Sequence, residues 1–104
     1  MARVTLDAGA CGFNVVVKVS KAGEKRYHVE LVSPCEMVQR LNEELRDRTF
    51  GREVLSTIVD SEIYRLCSRH LRHVSCPLPA AILKAIEVEA GLAVPRDAKI
   101  AVEK

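Results

Sequence analysis

Aromatic side chains are scarce in this chain. Phe13, Tyr27, Phe50 and Tyr64 are the whole supply, 4% of 104 residues, and there is no tryptophan. Proteins that grip single-stranded nucleic acid combine a basic groove with aromatic platforms for the bases. Sixteen Lys and Arg stand against fourteen Asp and Glu, a net charge of +2, so the electrostatic half of that design is missing too. No nucleic-acid partner is expected. Long apolar runs are also lacking; none approaches the roughly 20 residues of a membrane span. The opening Met-Ala-Arg-Val-Thr-Leu-Asp has no basic-then-apolar leader pattern. The expectation is a cytoplasmic chain with no membrane partner. Repeats, low-complexity tracts and linkers are absent as well, so residues 1–104 read as a single domain.

Hydrophobic residues make up 48% of the chain, enough for a globular core. In the first third they alternate. Val4 and Leu6 alternate with Arg3 and Thr5, and Phe13, Val15, Val17 and Val19 follow the same rule. So do Tyr27, Val29 and Leu31. This period of two in β-branched residues predicts three half-buried strands. Lys21-Ala22-Gly23-Glu24 reads as the hairpin between the second and third, and Asp7 to Gly12 as the turn between the first two.

The period then changes. Ser33-Pro34-Cys35-Glu36 supplies a capping Ser, a Pro at the first helical position and a Glu three after the cap. Met37, Val38, Leu41 and Leu45 continue at helical spacing. A mixed stretch runs from Arg46 to Val59, broken by Gly51. A second helix is expected from Asp60 or Ser61, with Ile63, Tyr64, Leu66, Cys67, His70 and Leu71 on one stripe. A third begins between Ser75 and Pro79 and ends at Gly91. Beyond Pro95, Ile100 and Val102 alternate, which predicts a short C-terminal strand over Ala98–Glu103. Together these elements predict an α+β fold: a three-stranded antiparallel sheet, three helices packed on one face, and that last strand.

Four cysteines then need a reason: Cys11, Cys35, Cys67 and Cys76. Reducing compartments keep thiols free, and no Cys-x-x-Cys pair is present, so a disulfide framework, a zinc ribbon and a dithiol redox motif are all unsupported. Each cysteine can be a buried small hydrophobe, a metal ligand or a reactive thiol. Cys67 lies on the apolar stripe of the second helix and reads as core. Cys11 falls in a turn, and Cys35 and Cys76 fall at helix starts, where free N–H groups and the helix dipole favour a thiolate. His70 and His73 join Cys67 and Cys76 in a run of every third residue. Steps of three drift by about 60° around a helix, so all four cannot meet one metal on an unbroken helix. Pro77 and Pro79 end the helix near His73, which lets His73 and Cys76 turn toward one site. The bland reading of His70 and His73 is two helix-C-terminal residues favoured by the dipole.

One family has this layout. An Ala10-Cys11-Gly12 turn, a long strand, a hairpin with Gly23, a Cys at a helix start, and a helix opening Cys76-Pro77-Leu78-Pro79-Ala80-Ala81-Ile82-Leu83-Lys84-Ala85-Ile86 together resemble the IscU/NifU N-terminal family. Those proteins, with their SufE/NifU-like fold, are scaffolds on which iron–sulfur clusters are assembled. Leu55-Ser56-Thr57-Ile58 through Glu62-Ile63 resembles the segment before that family's middle helix. The similarity spans Ala10 to Gly91. Phe13 stands where the family has an Asp ligand, and Ser75 where its His directly precedes the last Cys. The family's Leu-Pro-Pro-Val-Lys chaperone segment is not present.

The resemblance implies a scaffold or carrier rather than an enzyme. Cys11, Cys35 and Cys76 would bind an iron–sulfur cluster or zinc, with His73 as the fourth ligand and a cysteine desulfurase or a cluster acceptor protein as partner. Thiolates are soft donors suited to both. Two other readings of the residues stand beside it: a metal-free sulfur carrier using the Cys35 thiol, and a small interaction domain whose cysteines only pack.

Overall fold

Fold and side-chain placement come from a computed structural model, which describes residues 1–9 and 12–104. Alternation in the first third becomes three antiparallel strands in the order β1-β2-β3: Ala2–Asp7, Asn14–Gly23 and Arg26–Val32. Their register lines up the apolar positions across the sheet. Leu6 faces Val15, Val4 faces Val17, Val17 faces Leu31 and Val19 faces Val29. Successive side chains in a strand point to opposite faces, so this register collects Val15, Val17, Val19, Tyr27, Val29 and Leu31 on one buried face. Arg3, Thr5 and Asp7 of β1 take the solvent side.

The hairpin differs from its expected position. β2 continues to Gly23, the turn falls at Glu24-Lys25, and the pairing shifts register between Lys21 and Gly23. Lys25 takes the left-handed conformation, φ 57°, that the tight turn requires. At the opposite end of the sheet, the Asp7 carboxylate accepts the Gly9 N–H at 3.0 Å, and Gly12 N–H reaches the Gly9 carbonyl at 2.8 Å.

Three helices cover the buried face: α1 Glu36–Leu45, α2 Glu62–His70 and α3 Leu78–Glu89. α1 packs on β3, α3 lies across β1 and β2, and α2 closes against both helices. The chain is therefore an α+β fold of three antiparallel strands followed by three helices. α1 starts later than the Ser-Pro signal suggests. Ser33 Oγ accepts the Cys35 N–H at 3.2 Å, and the first helical bond runs from Gln39 N–H to the Cys35 carbonyl. The Asn42 side chain locks this helix to the sheet by accepting the Leu31 N–H of edge strand β3 at 2.8 Å. α3 follows its proline signals. Pro79 occupies its first turn, where a missing N–H costs nothing. Its other end closes with Gly91 N–H on the Val88 carbonyl and Leu92 N–H on the Glu87 carbonyl, with Gly91 at φ 74°. That pair of bonds is the Schellman arrangement.

Between α1 and α2 the mixed stretch is organised by one aromatic. Phe50, 1% exposed, exchanges both backbone hydrogen bonds with Tyr27, at 2.7 and 2.8 Å, and so occupies the free edge of β3. A single 3-10 turn, Arg52–Val54, follows. Ser61, the buried polar residue of the core, donates its hydroxyl to the Val54 carbonyl at 2.7 Å rather than capping α2.

The C-terminal strand expected over Ala98–Glu103 does not form. Residues 94–104 carry neither helix nor strand, and Ile100 and Val102 are 79% and 89% exposed. Local alternation supplies one face of a strand but no partner edge, and β-structure is stable only when paired.

Candidate functional site

Where the strands start and stop, five chain segments meet. Ala8 follows β1, Phe13 precedes β2, and Cys35 immediately precedes α1. α2 has just ended at Leu71, and Cys76 precedes α3. Antiparallel pairing forces this convergence, since Val16 at the start of β2 lies beside Val32 at the end of β3. The segments enclose a cavity of about 80 Å³ whose wall includes Cys35, His73 and Cys76. Phe13, Val15, Met37, Val38 and Leu71 complete an almost wholly apolar lining. Phe13, counted in the strand alternation from the sequence, falls just before β2 and is 43% exposed.

Each polar member is held by local geometry. Cys35 is the residue before the first turn of α1, 8% exposed, with its backbone fixed by Ser33. His73 and Cys76 sit at the two ends of one turn, closed by Cys76 N–H to the His73 carbonyl at 3.0 Å. The expected turning of His73 and Cys76 toward one site is therefore present, produced by α2 stopping at His70. Cys76 lies two residues before α3 rather than in its first turn, and Pro77 between them offers no N–H. The helix-start argument thus fits Cys35 better than Cys76. Cys35, Cys67 and Cys76 are free thiols. Cys11 lies outside the described residues; Ala8 and Phe13, on either side of it in sequence, both line the cavity.

Cys67 takes the core position expected from its stripe and is 3% exposed. Burial pushes its thiol up from 9.0 to about 12, and the neighbouring Cys76 adds to the shift. Cys67 is therefore a neutral thiol close to Cys76, and it does not line the cavity. That proximity was not read from the sequence, although both residues belong to the every-third-residue run. His70 turns away from the cavity, with its Nε2 3.5 Å from Glu44 Oε2.

A cavity of this size is far below the roughly 300–1,000 Å³ of small-molecule sites. Its polar donors are two sulfurs and an imidazole, a soft set suited to zinc or to iron bridged by sulfide. Among the described residues, no group of three or more His, Cys, Asp or Glu side chains is gathered closely enough to hold a metal ion. Cys35, His73 and Cys76 share a wall without forming a closed coordination shell, so a bound ion requires their side chains to close inward or a further donor to join them. Among the described residues, no helix is long and apolar enough to cross a membrane.

Comparison with curated proteins and with solved structures finds no match. A family model does match, over residues 2–102, and it takes in every strand, every helix and the thiol cavity. The chain belongs to that family, described as the family of unknown function DUF6951.

Proposed function

We propose that the protein is a scaffold or carrier that holds a soft metal, as an iron–sulfur cluster or as zinc, at the cavity lined by Cys35, His73 and Cys76, with Cys11 as the third thiolate. The observation that carries this reading is the shared wall. Residues distant in sequence bring two free thiols and an imidazole to one small apolar space. Apolar walls exclude water, which would otherwise compete for the metal and hydrolyse a labile cluster. Cys11 enters on its sequence position between two lining residues, and on the resemblance to the IscU/NifU scaffolds. In that reading a cysteine desulfurase or a cluster acceptor protein is the partner, and the cytoplasm, where thiols stay reduced, is the setting.

Anaerobic purification followed by iron, sulfide and zinc determination tests the proposal. The expected result is bound metal that is lost in Cys35→Ala, Cys76→Ala and Cys11→Ala and kept in Cys67→Ala. Metal content unaffected by the first three substitutions overturns it. A metal-free sulfur carrier is the second reading, favoured by the placement of Cys35 at a helix start. It predicts a persulfide on Cys35, after incubation with a desulfurase and cysteine, that forms equally well in Cys76→Ala.

A further inference from the structure

A second, larger concavity lies beside the thiol cavity, between the first turns of α1 and the C-terminal end of α2. It measures about 690 Å³, within the roughly 300–1,000 Å³ range of small-molecule sites. Basic side chains outnumber acidic ones in its lining: Arg40 comes from α1, Arg69 from the last turn of α2 and Arg72 from the segment after it, with His70 and His73 beside them and Glu36 as the one carboxylate among its described residues.

The existing ion pairs leave part of this charge uncompensated. Glu44 serves Arg69 at 3.1 Å, and its other oxygen lies 3.5 Å from His70 Nε2. Arg40 pairs at 3.7 Å with Glu36, which also lines the groove and whose side chain is 83% exposed. Arg72 makes no ion pair among the described residues. Arg40 on α1 and Arg72 in the segment after α2 thus border the same space, the first loosely paired and the second without an ion-pair partner among the described residues. Guanidinium forks match the planar oxygen pairs of carboxylate and phosphate, and two of them on opposite walls form a clamp.

We infer that this groove binds a small polyanion carrying a phosphate group or a pair of carboxylates, held between Arg40 and Arg72. Met37, Leu71 and His73 line both the groove and the thiol cavity. A molecule anchored by its anionic end therefore lies against the wall behind which Cys35 and Cys76 sit. The inference stands on the groove's own charges and does not depend on whether the thiols carry metal.

The test is a titration of the full-length protein, followed by amide chemical shifts, with inorganic pyrophosphate, with citrate and with an Asp/Glu-rich peptide. Saturable one-to-one binding of pyrophosphate or citrate is expected, with shifts centred on residues 36–40 and 68–73. Tighter pyrophosphate binding assigns the phosphate class, and tighter citrate binding the carboxylate class. Arg40→Gln and Arg72→Gln should each weaken the preferred anion about tenfold, with Arg72→Lys restoring part of the loss. Lys21→Gln, in the hairpin strand at the far end of the sheet, should leave binding unchanged. Both arginines are exposed, so these variants keep the fold, as their unshifted core amides will show. Non-saturating shifts over the whole basic surface, equal affinity in the arginine variants, or tighter binding of the peptide than of either small anion would overturn the inference.

Discussion

Cys67 offers a quantitative handle on the thiol cluster. Its thiol titrates near 12 in the folded chain instead of 9.0, because burial penalises the thiolate and Cys76 stands nearby. The unfolded chain has neither constraint. Between pH 9 and 12 the unfolded state therefore releases a proton that the native state keeps, and stability must fall as pH rises. The stabilisation is fully present below pH 9. From pH 9 to pH 10 this one thiol should remove about 1 kcal/mol, and the whole window about 4 kcal/mol. Urea unfolding of wild type and Cys67→Ala at pH 8, 9 and 10 isolates the effect, since every other titrating group is common to both. The variant starts less stable, having lost a buried sulfur, but its curve should fall less steeply by that ~1 kcal/mol. The same shift suppresses thiolate at pH 8 by about 1000-fold, so iodoacetamide should modify Cys76 in the folded protein and reach Cys67 only in denaturant. Parallel stability curves, or equal labelling of Cys67 and Cys76, would refute the assignment of Cys67 as a neutral core thiol.

Two further substitutions probe the frame around the site. Phe50→Ala empties a fully buried site on the edge of β3 and should cost about 3–5 kcal/mol in chemical denaturation; a loss under about 1 kcal/mol would mean that Phe50 is not part of the core. Ser61→Ala strips the Val54 carbonyl of its buried donor and should cost about 1–3 kcal/mol with the helical circular dichroism retained. A neutral result there would show that the carbonyl finds another partner.

The strands were legible because Val15, Val17 and Val19, with Val29 and Leu31 on the neighbouring strand, satisfy a strict period of two that a one-sided sheet requires. The helices were legible from their stripes, but their starts were not. Ser33 turned out to fix the Cys35 N–H in a local turn before α1, and Ser61 to serve the Val54 carbonyl seven residues back, so neither caps the helix that its spacing suggested. Ile100 and Val102 also misled: alternation without a neighbouring edge is not a strand. At the candidate site, the proline signals pointed to a helix end near His73, three residues past the real end at His70, and His73 and Cys76 stand at the two ends of one turn; the apolar stripe sent Cys67 inward, as found. The cavity itself was not legible. It needs Phe13, Val38 and Leu71 to arrive from three segments at once. The arginine groove was only half visible, as the basic run Arg69-His70-Leu71-Arg72-His73 without its Arg40 counterpart across the gap.

The most direct test of the central claim, that Cys35 and Cys76 act together on one soft ligand, is titration of the reduced protein with cobalt(II) as a spectroscopic stand-in for zinc. The account predicts a thiolate-to-cobalt charge-transfer band that saturates, persists in Cys67→Ala, and disappears in both Cys35→Ala and Cys76→Ala. A band that survives loss of either cysteine, or no thiolate band at all, would contradict it.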